Sequence, residues 1–273
     1  MITDVVYRYL RRSPTIQNQF RRLVRRLPHR QRRVQHFGQF LDVDPSELHG
    51  FYLYYEHEYD DYIFTFLSSR LERYERALDI GANIGIYTVF FGARLAEVDA
   101  FEPEPSVLPR LRNNLRLNAL NNVRIHEICI AHENTTVTFL QPDYSNQGVG
   151  RILTGQPDGV KLEAITLDYF LGGPCSTPII VKIDVEGAEW LVAQGCTESL
   201  GKRTALVNVL LEIHPDQIES LGGSPSRLQQ LLADMDFEVR ALTPAGLVSA
   251  QLESKYRFWW ASDRRYPSIE APV

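Results

Sequence analysis

The chain has 273 residues, of which 44% are hydrophobic and 23% charged, and its formal net charge is −5 at pH 7. This length and apolar content fit one sizeable α/β domain with an appendage. No apolar run of about 18 residues occurs, so no spanning helix is expected, and the arginine-rich beginning lacks the apolar stretch of a secretory signal. Three scattered cysteines exclude a complete disulfide framework. We therefore expect a cytoplasmic protein.

The beginning of the chain differs in charge from the rest. The first 33 residues carry ten arginines against one acid, a net charge of +9, which leaves −14 for residues 34–273. Apolar positions at helical spacing predict two short amphipathic basic helices, the second of which ends near Pro28, followed by a polar connection. The sequence thus predicts an arginine-rich helical extension over residues 1–50 and a separate domain over residues 51–273.

From residue 51 onward, strands and helices alternate along the chain, which is typical of an α/β fold with a parallel sheet. A helix over 54–74 is expected before the alternation, and the glycine- and proline-rich residues 141–165 are expected to form a loop. The predicted strands are ERALDIG (75–81), EVDAFEP (97–103), VRIHEICIA (123–131), NTTVTFL (134–140), PIIVKIDVEG (178–187) and TALVNVLLEIH (204–214), with FEVRAL (237–242) and YRFWWAS (256–262) as a closing antiparallel pair. The predicted helices are IGIYTVFFGARLA (84–96), SVLPRLRNNLRLNAL (106–120) with Pro109 as a kink, AEWLVAQGCTESL (188–200) and SRLQQLLADM (226–235).

The first strand of the alternation runs into a glycine turn, ALDIGANIG, at residues 77–85. Such a turn presents bare backbone N–H groups at a helix N-terminus, and Gly81 admits both an unusual backbone conformation and close approach of a ligand. The next strand ends in Glu102, 21 residues after Gly81, and an acid at about that spacing hydrogen-bonds ribose hydroxyls in nucleotide-binding folds. A plain strand–helix turn is the alternative, but Glu102 favours a nucleoside ligand.

The glycine pattern argues against a nicotinamide dinucleotide. That fingerprint needs glycine at positions 81, 83 and 86, whereas this chain has Asn83 and Ile86. A smaller ligand, in which adenosine is joined to an amino acid, does not need the pyrophosphate contact. Asp79, at the end of the strand, would repel a phosphate but stabilise an ammonium and a sulfonium group. S-adenosylmethionine is therefore the favoured cofactor.

Six segments then follow one another in an order that is specific to one family. They are DIGANIG (79–85), FEPEP (101–105), NNLRLNAL (113–120), ITLDYF (165–170), VKIDVEGAEW (181–190) and LLEIH (210–214). Together they closely resemble the FkbM-type family of S-adenosylmethionine-dependent O-methyltransferases, over roughly residues 55–215. IDVEGAE is the most diagnostic piece, and residues 1–50 lie outside the resemblance.

The resemblance implies a class I methyltransferase fold, a Rossmann-like α/β seven-stranded sheet with one antiparallel strand and helices on both faces. Carried over by position, it implies that the cofactor is bordered by Asp79, Gly81, Asn83 and Gly85 at its methionine end, by Tyr87 and Thr88 in the following helix, by Glu102 at the ribose, and by Pro103, Ala131 and His132 at the adenine. In similar proteins the segment that contains YYEHEYDDY (54–62) closes over the cofactor. Asn114 and Asn118 match family positions and are expected to be structural.

Methyl transfer to an alcohol needs a group that removes the hydroxyl proton, or a metal that lowers the pKa of the hydroxyl. Ligands of such a sheet lie beyond the carboxyl ends of its strands. VKIDVEGAEW and LLEIH end there in a set of ionisable residues, which comprises Asp184, Glu186, Glu189, Glu212 and His214. His214, whose ordinary pKa is near neutrality, is the expected base, with Asp184 and Glu186 as further catalytic candidates.

Each of these residues also has a structural interpretation. His214 can make a structural hydrogen bond at the strand end, and Asp184 can pair with Lys182, two residues earlier on the same strand face. A third alternative is a Mg²⁺ site formed by Asp184, Glu212 and His214. No metal is expected, because the paired acid of the metal-dependent class is not obvious here.

These observations predict an S-adenosylmethionine-dependent O-methyltransferase that acts on a hydroxyl group of a sugar, glycan or secondary metabolite. The basic extension is expected to pack on the acidic domain or on a second copy of the chain, with peripheral contact to an anionic membrane as an alternative. Nucleic acid is not an expected partner, since no RNA-binding motif occurs and the tetrapeptide of amine methyltransferases is absent. The alternative functions are a methyltransferase-like binding module attached through its extension, and an RNA methyltransferase.

Overall fold

A computed structural model describes residues 19–20, 22–24, 26, 30–140, 150–153, 159–248 and 257–266 of the chain. Its strands are β1 (Arg32–His36), β2 (Gln39–Val43), β3 (Arg76–Ile80), β4 (Glu97–Phe101), β5 (Val123–His126), β6 (Cys129–Ile130), β7 (Thr135–Leu140), β8 (Arg151–Leu153), β9 (Val160–Ile165), β10 (Ile179–Ile183), β11 (Val207–Glu212), β12 (Phe237–Thr243), β13 (Gly246–Val248) and β14 (Phe258–Asp263). Its helices are α1 (Leu48–Phe51), α2 (Asp61–Ser68), α3 (Ile86–Gly92), α4 (Leu108–Leu117), α5 (Leu167–Leu171), α6 (Glu189–Gln194), α7 (Pro215–Ser220) and α8 (Pro225–Asp234). A π-helical turn follows α1 over Tyr52–Glu56, and a 3₁₀ turn follows α2 over Leu71–Arg73.

The largest element is an eight-stranded sheet with the order β13-β12-β14-β11-β10-β3-β4-β5. The strands from β11 to β5 are parallel, and β14 lies antiparallel between β11 and β12. The expected class I methyltransferase fold, with seven strands of which one is antiparallel, is therefore confirmed. The short β13 adds an eighth strand, because it pairs antiparallel with β12 at the edge.

Successive residues of a strand point to opposite faces of the sheet, and here both faces are apolar. Helices therefore cover both faces. On β3, Leu78 belongs to the apolar cluster that includes α6 and α8, whereas Ala77 belongs to the cluster that includes α2, α3 and α4. Strands β10 and β11 are buried along their whole length. Because both faces are covered, a ligand can reach the sheet only at the ends of its strands. The carboxyl ends of β3, β4, β10 and β11 lie side by side.

A smaller sheet has the order β6-β9-β7-β8 and corrects two expectations. VRIHEICIA, predicted as one strand, is divided between β5 in the main sheet and β6 in the smaller one. The region 141–165, predicted as a loop, contains β8 and β9, which pair with β7; residues 141–149 and 154–158 lie outside the described residues. The alternating sequence VKLEAI of β9 is a strand pattern that the many glycines and prolines of this region conceal.

The helix expected over 54–74 is interrupted, and Pro109 causes no kink. His57 and Asp60 have left-handed backbone conformations, with φ of 58° and 52°, so α2 begins only at Asp61. Such conformations do not continue a right-handed helix. Pro109 lies in the first turn of α4, where its missing N–H group leaves no helical hydrogen bond unmade.

The polar connection expected before residue 50 is instead a β-hairpin of β1 and β2. The backbone N–H groups of Phe40 and Asp42 donate to the side-chain oxygens of Asn118, which follows α4, and Asn114, which lies on it, at 2.9 and 2.8 Å. The structural role expected of both asparagines is thereby confirmed. The domain boundary at residue 50 stays a prediction, although these bonds join the hairpin to the following domain.

A small part of the arginine-rich extension falls within the described residues. Residues 22–24, which lie within the second predicted amphipathic helix, are helical, and the ring of Phe20 packs 6.2 Å from that of Phe51 and 5.2 Å from that of Tyr55. The first predicted helix, over residues 1–12, lies outside the described residues. Where the structure describes the chain, it contains no helix with the length and apolar character needed to traverse a bilayer.

Candidate active site

A cleft opens at the edge of the main sheet where β3, β4, β10 and β11 end, as expected for ligands of a parallel α/β sheet. Its walls come from the turn after β3, the segment after β4, the smaller sheet, α1 and the residue before β14. Including its open mouth, it encloses about 1330 Å³. This volume leaves room for a nucleoside-sized ligand and a second molecule beside it.

The turn after β3 requires glycine at position 81, as the sequence predicts. Gly81 has a φ of 82°, and a Cβ atom there would lie 1.8 Å from the carbonyl oxygen of Asp184. The N–H groups of Gly81 and Ala82, expected to be free for a ligand, both donate to the carbonyl oxygen of Phe101 at 3.0 Å. The turn therefore holds β3 and β4 together and presents main-chain surface to the cleft.

Of three further residues predicted to border the cofactor from this turn and helix, two line the cleft and one does not. Asn83 and Tyr87 line the cleft, and the Tyr87 hydroxyl donates to the carboxylate of Asp60 at 3.3 Å. Gly85 does not line it. A Cβ atom at Gly85 would lie 2.5 Å from the side chain of Leu111, so this glycine allows close approach of α4.

Glu102 lies in the wall of the cleft at the end of β4, with 6% of its surface exposed. One carboxylate oxygen accepts the N–H group of Asn83 at 2.7 Å, and the other accepts that of Glu104 at 2.8 Å. Burial raises the pKa of Glu102 to about 7, although these two hydrogen bonds favour the ionised form. Each oxygen keeps a second lone pair for a hydroxyl donor, and Pro103 lies beside it in the wall.

Asp79 and Thr88 lie beneath the cleft rather than in its wall. Asp79 is fully buried, accepts a hydrogen bond from the Thr88 hydroxyl at 2.5 Å and lies 3.2 Å from the amine of Lys182. The same amine donates to the carbonyl oxygen of Gly81 at 2.8 Å and lies 3.5 Å from Asp184. Asp79 thus supports the turn from below through Lys182, and the ion pair of Asp184 with Lys182 is present.

The smaller sheet supplies an apolar wall, which includes Ile130, Phe139 and Ile152. Of the three residues predicted to border the adenine, Pro103 lines the cleft, whereas Ala131 and His132 do not. Ala131 is fully buried and His132 is exposed. The N–H group of Ala131 donates to the carbonyl oxygen of Ile165 in the smaller sheet, which turns the chain away from the cleft at this point. The apolar wall therefore includes Ile130 but neither of the next two residues, which the resemblance implied.

The opposite end of the cleft is charged. Asp184 and Glu186, which follow β10, line it as predicted. Glu212, at the end of β11, forms an ion pair with Arg257, and both side chains line the same end. Burial alone would raise the pKa of Asp184, but nearby cations, Lys182 above all, lower it below its ordinary value. Asp184 is therefore ionised at neutral pH.

His214, the predicted general base, is surrounded by carboxylates. Its Nδ1 atom lies 2.9 Å from Glu189, and its Nε2 atom lies 3.3 Å from Glu186 and 3.5 Å from Glu212. Burial alone would lower the pKa of His214, but these carboxylates raise it to about 11. The imidazolium that results at neutral pH has no lone pair with which to take a proton. The geometry therefore favours the structural interpretation of His214 over its role as a base.

The three residues of the alternative metal site lie close together, but their donor atoms already interact with cations or carry protons. Asp184, Glu212 and His214 offer donor atoms within 4.8 Å of one another. Glu212 is paired with Arg257, and a protonated His214 cannot be a ligand. These residues do not fit a metal ion, because the cluster balances its charge with its own cations.

Three lining residues of the charged end lie outside the sequence-based expectations, namely His49, Tyr59 and Arg257. The run YYEHEYDDY over 54–62 indicated a segment near the cofactor, and Tyr59 belongs to it. His49 precedes that run, and Arg257 reaches the cleft only because β14 inserts beside β11. No local pattern marks these last two positions.

Comparison with known proteins agrees with the motifs. The profile of the family described as Methyltransferase FkbM domain matches residues 79–239. Hexuronic acid methyltransferase AglP of Haloferax volcanii is 28% identical over 158 residues, which are 57% of this chain and 60% of that protein. The chain therefore spans less than two thirds of the length of this curated relative.

Two of the solved structures that match the chain have TM-scores below 0.5. Methyltransferase FkbM from Methylobacillus flagellatus has 14% identity and a TM-score of 0.43, with coverage of 70% of this chain and 44% of that chain. The O-methyltransferase TomG from Streptomyces achromogenes has 14% identity and a TM-score of 0.43, with coverage of 74% and 78%. The family profile extends over more than half of the chain and includes all six ordered segments. The resemblance drawn from the sequence is confirmed, and the chain belongs to the FkbM family of methyltransferases.

Proposed function

We propose that the protein transfers the methyl group of S-adenosylmethionine to a hydroxyl group of a sugar, either free or within a glycan. The observation that carries the proposal is the division of one cleft into two chemically different ends. Glu102 and the apolar wall of the smaller sheet form a nucleoside end. Asp184, Glu186 and Glu212 form a charged end that suits a polar acceptor.

The residues of the nucleoside end fit S-adenosylmethionine. Glu102 would accept hydrogen bonds from the ribose hydroxyls, and Ile130, Phe139 and Ile152 would pack on the adenine. Gly81 and Ala82 line the cleft, so a ligand there can contact the main chain of the turn. The bound cofactor supplies an electrophilic methyl group, so the chain has to orient the acceptor and exclude water.

The charged end fits an acceptor with several hydroxyl groups. Carboxylate oxygens accept hydrogen bonds, so Asp184 and Glu212 match the O–H donors of a sugar. Sites built on such bonds strongly reject analogues that lack the hydroxyl. The similarity to a hexuronic acid methyltransferase makes uronic acids the first acceptors to consider, and Arg257 is a cation in this wall that would attract their carboxylate.

The test combines binding and turnover, with the full chain in both. Titration calorimetry is expected to show saturable binding of S-adenosylmethionine. Incubation with the cofactor and either uronic acid oligosaccharides or neutral sugars is expected to give a methylated sugar detectable by mass spectrometry. No binding at millimolar cofactor would contradict the cofactor assignment, and methylation of RNA but of no sugar would contradict the acceptor class.

A further inference from the structure

His49, in α1, lies at the charged end of the cleft and has no role in the interactions described above. Its ring meets the ring of Tyr59 edge-on, with the centroids 5.2 Å apart. Throughout the described residues, neither ring nitrogen of His49 takes part in a hydrogen bond or an ion pair. Both nitrogens are therefore left for a molecule that enters the cleft.

The charges around His49 determine the state of its ring. Burial lowers the pKa of His49 to about 4; Asp184 opposes this effect, and Arg257, Lys182 and Arg110 add to it. The ring is consequently neutral at neutral pH and carries a nitrogen lone pair. His214, the base predicted from the sequence, is in the opposite protonation state, because three carboxylates stabilise its imidazolium form.

The carboxylates of the charged end are already committed to cations. Asp184 lies 3.5 Å from Lys182, and Glu186 lies 3.3 Å from the ring of His214. Either carboxylate would give up part of an ion pair by taking a proton. His49 has no such pair to lose, and the imidazolium that it would form is stabilised by the charge of Asp184.

On the basis of the proposed function, we propose that His49 is the general base that takes the proton of the acceptor hydroxyl. The acceptor oxygen forms a bond to the methyl carbon while the bond between that carbon and the sulfonium sulfur breaks. The electron pair of the broken bond stays on the sulfur, which becomes a neutral thioether. The hydroxyl proton passes to a ring nitrogen of His49 and leaves to solvent after the products dissociate.

The first experiment compares His49→Asn with His57→Asn in the full chain. His49→Asn is expected to lower kcat by about 100-fold or more, with a change of less than about threefold in the affinity for S-adenosylmethionine. His57 is a matched control, because it is exposed, does not line the cleft and has a left-handed backbone that asparagine tolerates. Retained cofactor binding shows that each variant is folded.

Two further readouts separate proton transfer from a structural role. Added imidazole is expected to restore part of the turnover of His49→Ala, since it can occupy the space of the missing ring. NMR titration of the cofactor-free wild-type chain is expected to show one histidine ring signal that titrates only as the pH approaches about 4. The spectrum of His49→Asn should lack this signal.

The outcomes distinguish the two proposals. If the wild-type chain methylates no sugar, the proposed function fails and the assignment of His49 fails with it. If the wild-type chain methylates a sugar and His49→Asn keeps more than about a tenth of kcat, only the assignment of His49 is overturned. A large loss in Glu186→Gln, together with an active His49→Asn, would identify Glu186 as the base instead.

Discussion

At the carboxyl end of β4, two backbone N–H groups hold the carboxylate of Glu102 in place before any ligand binds. A side chain fixed in this way loses little conformational freedom on binding, which favours affinity.

The two histidines of the charged end show how neighbours set the charge of one residue type. His214 is protonated because carboxylates surround it, and His49 is neutral because partial burial and nearby cations lower its pKa.

Replacement of Glu102 tests the ribose assignment at this scale. Glu102→Ala is expected to weaken binding of S-adenosylmethionine by about 1–3 kcal/mol, which is the free energy of hydrogen bonds to a charged group. Calorimetry measures the change, and Glu198→Ala, an exposed acid paired with Lys202, is the control. Equal affinities of the two variants would remove Glu102 from the ribose site.

Among the elements, helix α4 joins the β1–β2 hairpin to the turn after β3. The side-chain oxygen of Asn114 accepts the N–H group of Asp42 at 2.8 Å, and its nitrogen donates to the carbonyl oxygen of Ile84 at 2.8 Å. Asn114 is fully buried. The hairpin, which lines no part of the cleft, therefore supports the turn on which the cofactor is proposed to lie.

Asn114→Ala is expected to lower the free energy of unfolding by about 2–4 kcal/mol, because it leaves the half-buried N–H group of Asp42 and the buried carbonyl group of Ile84 without these partners. Urea denaturation measures this change. The control on the same helix is Arg112→Ala, whose ion pair with Glu127 is exposed and should contribute less than about 1 kcal/mol. A loss no greater than that of the control would show that Asn114 does not connect the two elements.

Prediction from the sequence succeeds where the signal is local. The strands of the main sheet are continuous apolar runs that end in recognisable motifs, so β3, β4, β10 and β11 are foreseeable, together with the acids that follow them. The smaller sheet cannot be foreseen in this way, because β6 and β9 pair although they lie far apart in the chain. The charge of His214 depends on Glu189 and Glu212, and Arg257 enters the cleft through β14, so neither effect is visible in a local pattern.

For the whole molecule, the arginine-rich extension and the acidic domain carry charges of opposite sign. Within the described residues, Phe20 and Val24 of the extension pack with Phe51 and Tyr55, in the same segment that brings His49 to the cleft. This contact agrees with the expectation that the extension packs on its own domain. Contact with a second copy of the chain or with a membrane stays a prediction.

The most direct test of the account is a crystal structure of the chain with S-adenosylhomocysteine. We predict that the ribose hydroxyls lie within hydrogen-bonding distance of the Glu102 carboxylate, that the amino-acid portion lies beside Gly81, and that the sulfur faces the end of the cleft that holds His49 and Asp184. A ligand bound outside the cleft, or a Glu102 side chain turned away from it, would contradict the central claim.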